Sequence, residues 1–479
     1  MPSPAHPSSL RNASSPCPLS GGGGRALTPD PWPLFPSILL VLARATLILS
    51  IIAASVLTSD AKVYIDIDSP GFRRLPLAVL SLDAAPGGSP CVDPKLPKNL
   101  EQVLLEDLEV SGYFRTLSPD VFLVEKKEVN LYPGKIDYRA WSLIGAEALI
   151  LVQTTCKDGQ IATEAQLLDV LTGKLLAWKR YKSESSGYRR VAHRFANEVA
   201  KELTGLAGAF DTRIAYISNA TGTKELYVMD YDGNGPRKLT DLRSISLSPA
   251  WARDGSKIVF TSFWKRNPGL YFLDLKGPSR LKRLLPGFSP LCSGGTWSAD
   301  GKWIAFSASL DGNTELFRVL ASGEGRPERL TKNWSIDVSP SWSPDGKDIV
   351  FVSDRAGRPD LYILQVEAGK LRRLTFEGSY NADPEWSPRG DWITYVSRVG
   401  GYFQVFRMRP DGTGRTQLTG GVCDHLNPSW SPDGRLIAFS SNQTGSSDLY
   451  LMRADGTGIK RITRTPHDET DPAWSPAPR

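Results

Sequence analysis

The chain has 479 residues, 23% of them charged and 41% hydrophobic, a composition that allows two to four ordinary globular domains. Its net charge of +6 is small and scattered, with no Lys/Arg block dense enough to mark a phosphate-binding face, so nothing points to nucleic acid. Four His, and five Cys with none in a C-x-x-C pair, argue against a zinc or thioredoxin-type site, and no metal site is expected.

Residues 1–61 read as a leader. Positions 1–36 are rich in Pro, Ser and Gly, a composition unable to bury a core. Arg44, the apolar run 45–57 and then Ser59-Asp60-Ala61 follow, the pattern of a secretory signal peptide cleaved after Ala61, which leaves no transmembrane anchor. The run 38–57 also approaches the length of a membrane span, the alternative reading of this stretch.

Residues 62–208 are expected to form an α/β domain. Lys62, Val63, Tyr64, Ile65, Asp66 and Ile67 alternate like a half-buried strand, and 75–82 reads as another. Helical spacing covers 99–112, strands are expected at 148–152, 162–168 and 174–178, and 191–203 carries the stripe Val191, Phe195, Val199 and Leu203 of an amphipathic helix. Export would permit disulfides, but spacing leaves the pairing of Cys91, Cys156, Cys292 and Cys423 open.

From 209 to 479 one phrase repeats. Trp stands at 251, 297, 342, 386, 430 and 474, at intervals of 46, 45, 44, 44 and 44. The full form is Trp342-Ser343-Pro344-Asp345-Gly346, repeated at Trp430, with near copies elsewhere. Ser-Pro-Asp-Gly is a tight-turn sequence, so its Asp is turn chemistry. Each turn leads into an apolar run such as Asp348-Ile349-Val350-Phe351, then a second such as Leu361-Tyr362-Ile363-Leu364, then a third short strand ending Leu-Thr, as in Leu374-Thr375. With the Trp strand this makes four strands per period of about 44 residues, one propeller blade. The first three strands, from Arg213, lack a Trp strand, and the last Trp strand has no successor. The C-terminal strand therefore closes a six-bladed β-propeller. The periodic Trp are read as wedges between blades rather than ligand platforms.

Three positions before each Trp stand Ser248, Gly294, Ser339, Asp383, Asn427 and Asp471, near the mouth of the expected central channel. Their plain role is to solvate the channel or cap turns. The functional reading is that some of them, with Leu291 and Val338, meet a partner loop. Asp383 and Asp471 would also favour a cation, on the weak ground of two carboxylates on different blades.

The segment Glu202-Leu203-Thr204-Gly205-Leu206-Ala207-Gly208-Ala209-Phe210-Asp211-Thr212-Arg213-Ile214-Ala215-Tyr216 resembles the interdomain junction of the TolB family of the Tol–Pal envelope system. Leu108-Glu109-Val110-Ser111-Gly112-Tyr113-Phe114 resembles a motif of that family's first domain, and the resemblance covers essentially all of 62–479. The stretch 289–295 departs from its sister repeats, which weakens the carry-over there. The resemblance implies a periplasmic, non-catalytic scaffold without a cofactor that supports outer-membrane integrity and cell division. It implies binding of the peptidoglycan-associated lipoprotein at the channel mouth, and of TolA by the mature N-terminal arm, Lys62 through Asp68. The arm would then be free in one state and tucked against its own domain in another; read without the resemblance, it is simply the first strand of the local sheet. Other Tol–Pal components are further expected partners. The rival readings are an exported propeller enzyme and a glycan-binding module; a hydrolase of the prolyl-oligopeptidase type would need G-x-S-x-G, which does not occur.

Overall fold

The computed structural model describes residues 73–82, 91, 93–126, 129–277 and 281–478. The leader and the arm Lys62 to Asp68 lie outside the described residues.

The α/β domain is built on a five-stranded sheet. Its strands are β1 (Leu75–Leu82), β2 (Phe114–Thr116), β3 (Ala148–Lys157), β4 (Gln160–Asp169) and β5 (Leu175–Glu184), in the order β2-β1-β3-β4-β5. β1 is parallel to both neighbours and the rest is antiparallel. Every residue of β1 is buried, because both sheet faces are covered. Leu75, Leu77 and Val79 face α1 (Leu96–Val110) and the later helix over Tyr188–Thr204, while Ala78, Leu80 and Leu82 face a second cluster around Trp141 of α2 (Tyr138–Leu143). That later helix, α3, ends on Gly205 at φ 74°, a left-handed cap that glycine adopts without a Cβ clash. β3, β4 and β5 run several residues beyond the apolar cores that mark them in the sequence. Their extensions are held by the antiparallel ladder and by cross-strand pairs such as Thr154 with Thr163, whose hydroxyls stand 3.1 Å apart. Cys91 and Cys156 form a disulfide; Cys292 and Cys423 are free.

The remainder is a propeller of six four-stranded sheets. In chain order the blades span 246–283, 291–329, 337–373, 381–417 and 425–461, and the sixth joins the strands of 213–238 to the C-terminal strand Glu469–Trp474. That last strand pairs antiparallel with Arg213–Ser218, Trp474 opposite Ile214, which closes the ring. All six repeat Trp are buried. Three of them join blades through their indoles: Trp251 Nε1 donates to the Ala473 carbonyl at 3.0 Å, Trp297 Nε1 to that of Ala250 at 3.2 Å and Trp430 Nε1 to that of Glu385 at 3.3 Å. The Asp of the turn is local chemistry, as Asp345 shows by accepting Ser343 Oγ at 2.6 Å and the Lys347 amide at 3.1 Å.

One detail differs from the sequence expectation. Leu-Thr does not end the third strand but follows it. In the third blade the strand is Lys370–Arg373; Leu374 N then bonds the Leu361 carbonyl at 2.8 Å, and Thr375 Oγ1 accepts the Leu361 amide at 2.9 Å. The Thr hydroxyl thus takes a backbone partner's place, and a side-chain cap replaces the last rung of the ladder.

Candidate functional site: the central channel and its mouth

The six inner strands are Ser246–Trp251, Leu291–Trp297, Asp337–Trp342, Asn381–Trp386, His425–Trp430 and Glu469–Trp474. Each is broken by a β-bulge, seen as a register shift such as that between Val338 and Ser341. The sequence explains the break. In five blades a Pro follows the bulge residue, and Pro has no N–H to give the ladder. The residue before it turns left-handed: Ser248, Ser339, Asp383, Asn427 and Asp471 have φ between 47° and 53°, and Gly294 has φ 67°. For a non-glycine residue this region is uncommon, and here it recurs around a ring.

These six residues line one channel of about 340 Å³ on the propeller axis. The structure thus brings together Ser248, Gly294, Ser339, Asp383, Asn427 and Asp471, residues up to 223 positions apart. Leu291 and Val338 are not in the channel wall. Leu291 is exposed where its inner strand begins, and Val338 packs against the core between the third and fourth blades. The Asp471 carboxylate accepts the Ser248 amide at 3.5 Å, linking the sixth and first blades across the mouth. Burial and the charge of Asp471 push the Asp383 carboxyl up to about 6, and burial raises Asp471 as well.

Sequence reasoning missed a second tier, the residue immediately before each Trp. Glu385 Oε2 accepts the Trp430 amide at 3.1 Å, Ser341 Oγ accepts that of Trp386 at 3.0 Å and Ser429 Oγ that of Trp474 at 3.1 Å. Burial pushes Glu385 up to about 8, against the hydrogen bonds from Trp430 and Ser429 and the nearby charge of Arg253. Ser or Glu at a position otherwise filled by Ala or Thr was the available signal.

A third feature, also missed, lies where the inner strands begin. The loops that enter the inner strands expose Trp334, Ile336, Phe376, Tyr380 and Val422, with Trp334 100% accessible. Inner strands start, and second strands end, on this same side, so these side chains lie on the face of the propeller where the inner strands of blades three to five begin, with Ile245 exposed ahead of the first inner strand as well. Apolar residues just ahead of an inner strand were its sequence signal. Among the described residues no group of three or more His, Cys, Asp or Glu is placed to hold a metal, and no helix is long and apolar enough to cross a membrane.

Comparison with known proteins places this geometry. The family model of the TolB beta propeller domain matches residues 200–478, and that of the TolB amino-terminal domain matches 63–176. The chain is 38% identical over 295 residues to a Tol-Pal system protein TolB of Desulfosudis oleivorans, covering 61% of this chain and 66% of the relative. It is 33% identical over 298 residues to a TolB homolog of Chlorobium chlorochromatii, covering 61% and 64%. The chain therefore spans about two thirds of the length of these relatives. Among solved structures it is similar to TolB from Acinetobacter baumannii, with a TM-score of 0.71 and 27% identity over 85% of this chain and 97% of that one.

Proposed function

Because this chain belongs to the TolB family, we propose that it is a non-catalytic periplasmic scaffold of the Tol–Pal system. It binds the peptidoglycan-associated lipoprotein at the channel mouth and TolA through the mature N-terminal arm, and so supports outer-membrane integrity and cell division. The observation that carries the lipoprotein site is the mouth itself. Six inner strands hold small or polar side chains in left-handed conformations around one axial opening, and the loops that enter the inner strands of blades three to five expose apolar side chains. An inserted loop would find hydrogen-bonding groups in the channel and apolar contact outside it, the pattern of a polar-lined pocket with an adjacent hot spot.

Two binding measurements test the two halves separately. In calorimetry, the lipoprotein of the same organism binds the protein, and Asp383→Ala and Ser339→Ala weaken that binding. Binding unchanged in both variants would move the site elsewhere, and no binding would remove the assignment. Deleting Lys62, Val63, Tyr64, Ile65, Asp66, Ile67 and Asp68 abolishes TolA binding and leaves the folded propeller intact; TolA binding that survives the deletion would exclude the arm.

A further inference from the structure

The α/β domain and the propeller share one core. Leu100, Phe195 and Leu203 of α1 and α3 join Phe210, Tyr231, Leu436, Leu449 and Trp474 in a single cluster. Within it lies a buried polar group. His193 Nδ1 on α3 stands 2.8 Å from Asp107 Oδ2 on α1, and the Tyr231 hydroxyl, from the propeller, donates to Asp107 Oδ1 at 2.5 Å. Asp107, His193 and Tyr231 are all at most 2% exposed. Tyr231 stacks on Trp474 of the closing strand at 6.3 Å, and Trp474 Nε1 donates to Thr212 of the junction at 2.7 Å. Ring closure and domain docking therefore meet at one point.

The other imidazole nitrogen carries the inference. Nε2 of His193 has no hydrogen-bond partner, yet it lies 3.6 Å from Oδ2 of Asp232, a propeller residue. Asp232 is also ion-paired with Arg189 of α3. A neutral imidazole has one N–H. With that hydrogen on Nδ1, directed at the Asp107 carboxylate, Nε2 presents a lone pair to a second carboxylate across the domain boundary. With both nitrogens protonated, the ring bridges Asp107 of its own domain to Asp232 of the other.

We propose that the Asp107–His193–Asp232 cluster is a proton-operated latch: protonated His193 holds the α/β domain against the propeller, and loss of the proton loosens the docking.

The surroundings favour the proton. From α1, Asp107 faces the ring, with Glu106 beside it paired to Lys460 of the propeller at 3.1 Å. The ring's own helix supplies Arg189 and Arg190, and the propeller supplies Asp230, Tyr231 and Asp232. Burial alone would lower the pKa of His193, but the charge and hydrogen bond of Asp107 and the charge of Asp232 outweigh it, so the net shift is upward. A group raised in the docked state stabilises docking fully below its undocked pKa, and that contribution is lost as pH rises through the docked value.

The test uses the full chain. NMR of the four histidine imidazoles between pH 5 and 9 follows His193, and hydrogen exchange of the junction 205–212, corrected for intrinsic chemistry, follows docking. His193 is expected to titrate above its ordinary value of 6.5, and junction opening to grow by up to about tenfold per pH unit through that midpoint. Asp232→Asn lowers the midpoint and flattens the slope, and His193→Gln removes the slope. A His193 that stays neutral throughout, a slope undiminished in Asp232→Asn, or a slope that persists in His193→Gln overturns the latch. The titration of the unsubstituted chain decides the matter even where a variant fails to fold.

Discussion

The hydroxyl of Ser429, in the inner strand of the fifth blade, accepts the amide of Trp474 in the closing strand at 3.1 Å. Both atoms are buried, so the bond replaces water at the seam where the ring shuts. Ser429→Ala leaves the Trp474 amide without a partner, and such a loss costs ~1–3 kcal/mol. Urea denaturation is expected to show that loss, with hydrogen exchange rising first in the closing strand.

Glu385 gives stability an unusual slope with pH. Its carboxyl is raised from 4.5 to about 8, so between those values the folded chain keeps a proton that the unfolded chain has released. Stability from this group is whole below about 4.5 and falls as pH rises to about 8, the opposite of a salt-bridged carboxylate. Glu385→Gln keeps an oxygen to accept the Trp430 amide but cannot ionise. Its stability relative to the parent therefore rises across that window in denaturation at stepped pH. Asp383→Asn behaves likewise over the narrower span from 3.8 to about 6.

The disulfide between Cys91 and Cys156 closes a loop of sequence separation 65. Chain entropy assigns a loop of that size about 4 kcal/mol. Replacing both cysteines by Ser is expected to lower the stability of the α/β domain by up to that amount, with the same change produced by reductant in the parent and none in the variant.

Much of the propeller was legible because its signals are local and repeated. The Trp period, the Ser-Pro-Asp-Gly turns and the unmatched Trp474 strand define blades, count and closure with no distant contact needed. The place of Ser248, Gly294, Ser339, Asp383, Asn427 and Asp471 in the channel wall was legible for the same reason, since it follows from position relative to Trp, whereas Leu291 and Val338 lie outside that wall. What stayed hidden depends on pairs brought together only by the fold. Glu385 caps a Trp 45 residues away, Asp107 meets a His 86 residues away, and Cys91 finds Cys156 across the sheet. The Leu-Thr segment misled for a different reason. Its residue types suit a strand, while the Thr hydroxyl does the work of a backbone partner.

Trp334 separates binding from stability. It is fully exposed in the loop that enters the third inner strand, so the folded chain gains little from its ring. Trp334→Ala is expected to change folding stability by less than ~0.5 kcal/mol, yet to weaken lipoprotein binding about tenfold or more if these apolar loops are part of the interface. Phe376→Ala should act in the same direction. Calorimetry beside denaturation of the same samples reads both quantities, and unchanged affinity in both variants would confine the interface to the channel.

Ser339 sits at φ 53°, a left-handed conformation that costs an L-residue ~1–2 kcal/mol. The second blade meets the same backbone demand with Gly294 at φ 67°, so the bulge does not itself require a side chain. Ser339→Gly should relieve the strain and stabilise the fold by up to ~1 kcal/mol, after the entropy of the glycine is counted. Ser339→Ala retains the strain. If the ring only shaped the channel, the glycine variant would be more stable and bind the lipoprotein as well as the parent. Strain held at a mouth residue where glycine fits implies a use for the side chain, so the expected result is a more stable protein that binds less tightly. Affinity and denaturation midpoint, measured together on the parent and both variants, distinguish a hydroxyl retained for recognition from one that merely occupies the bulge.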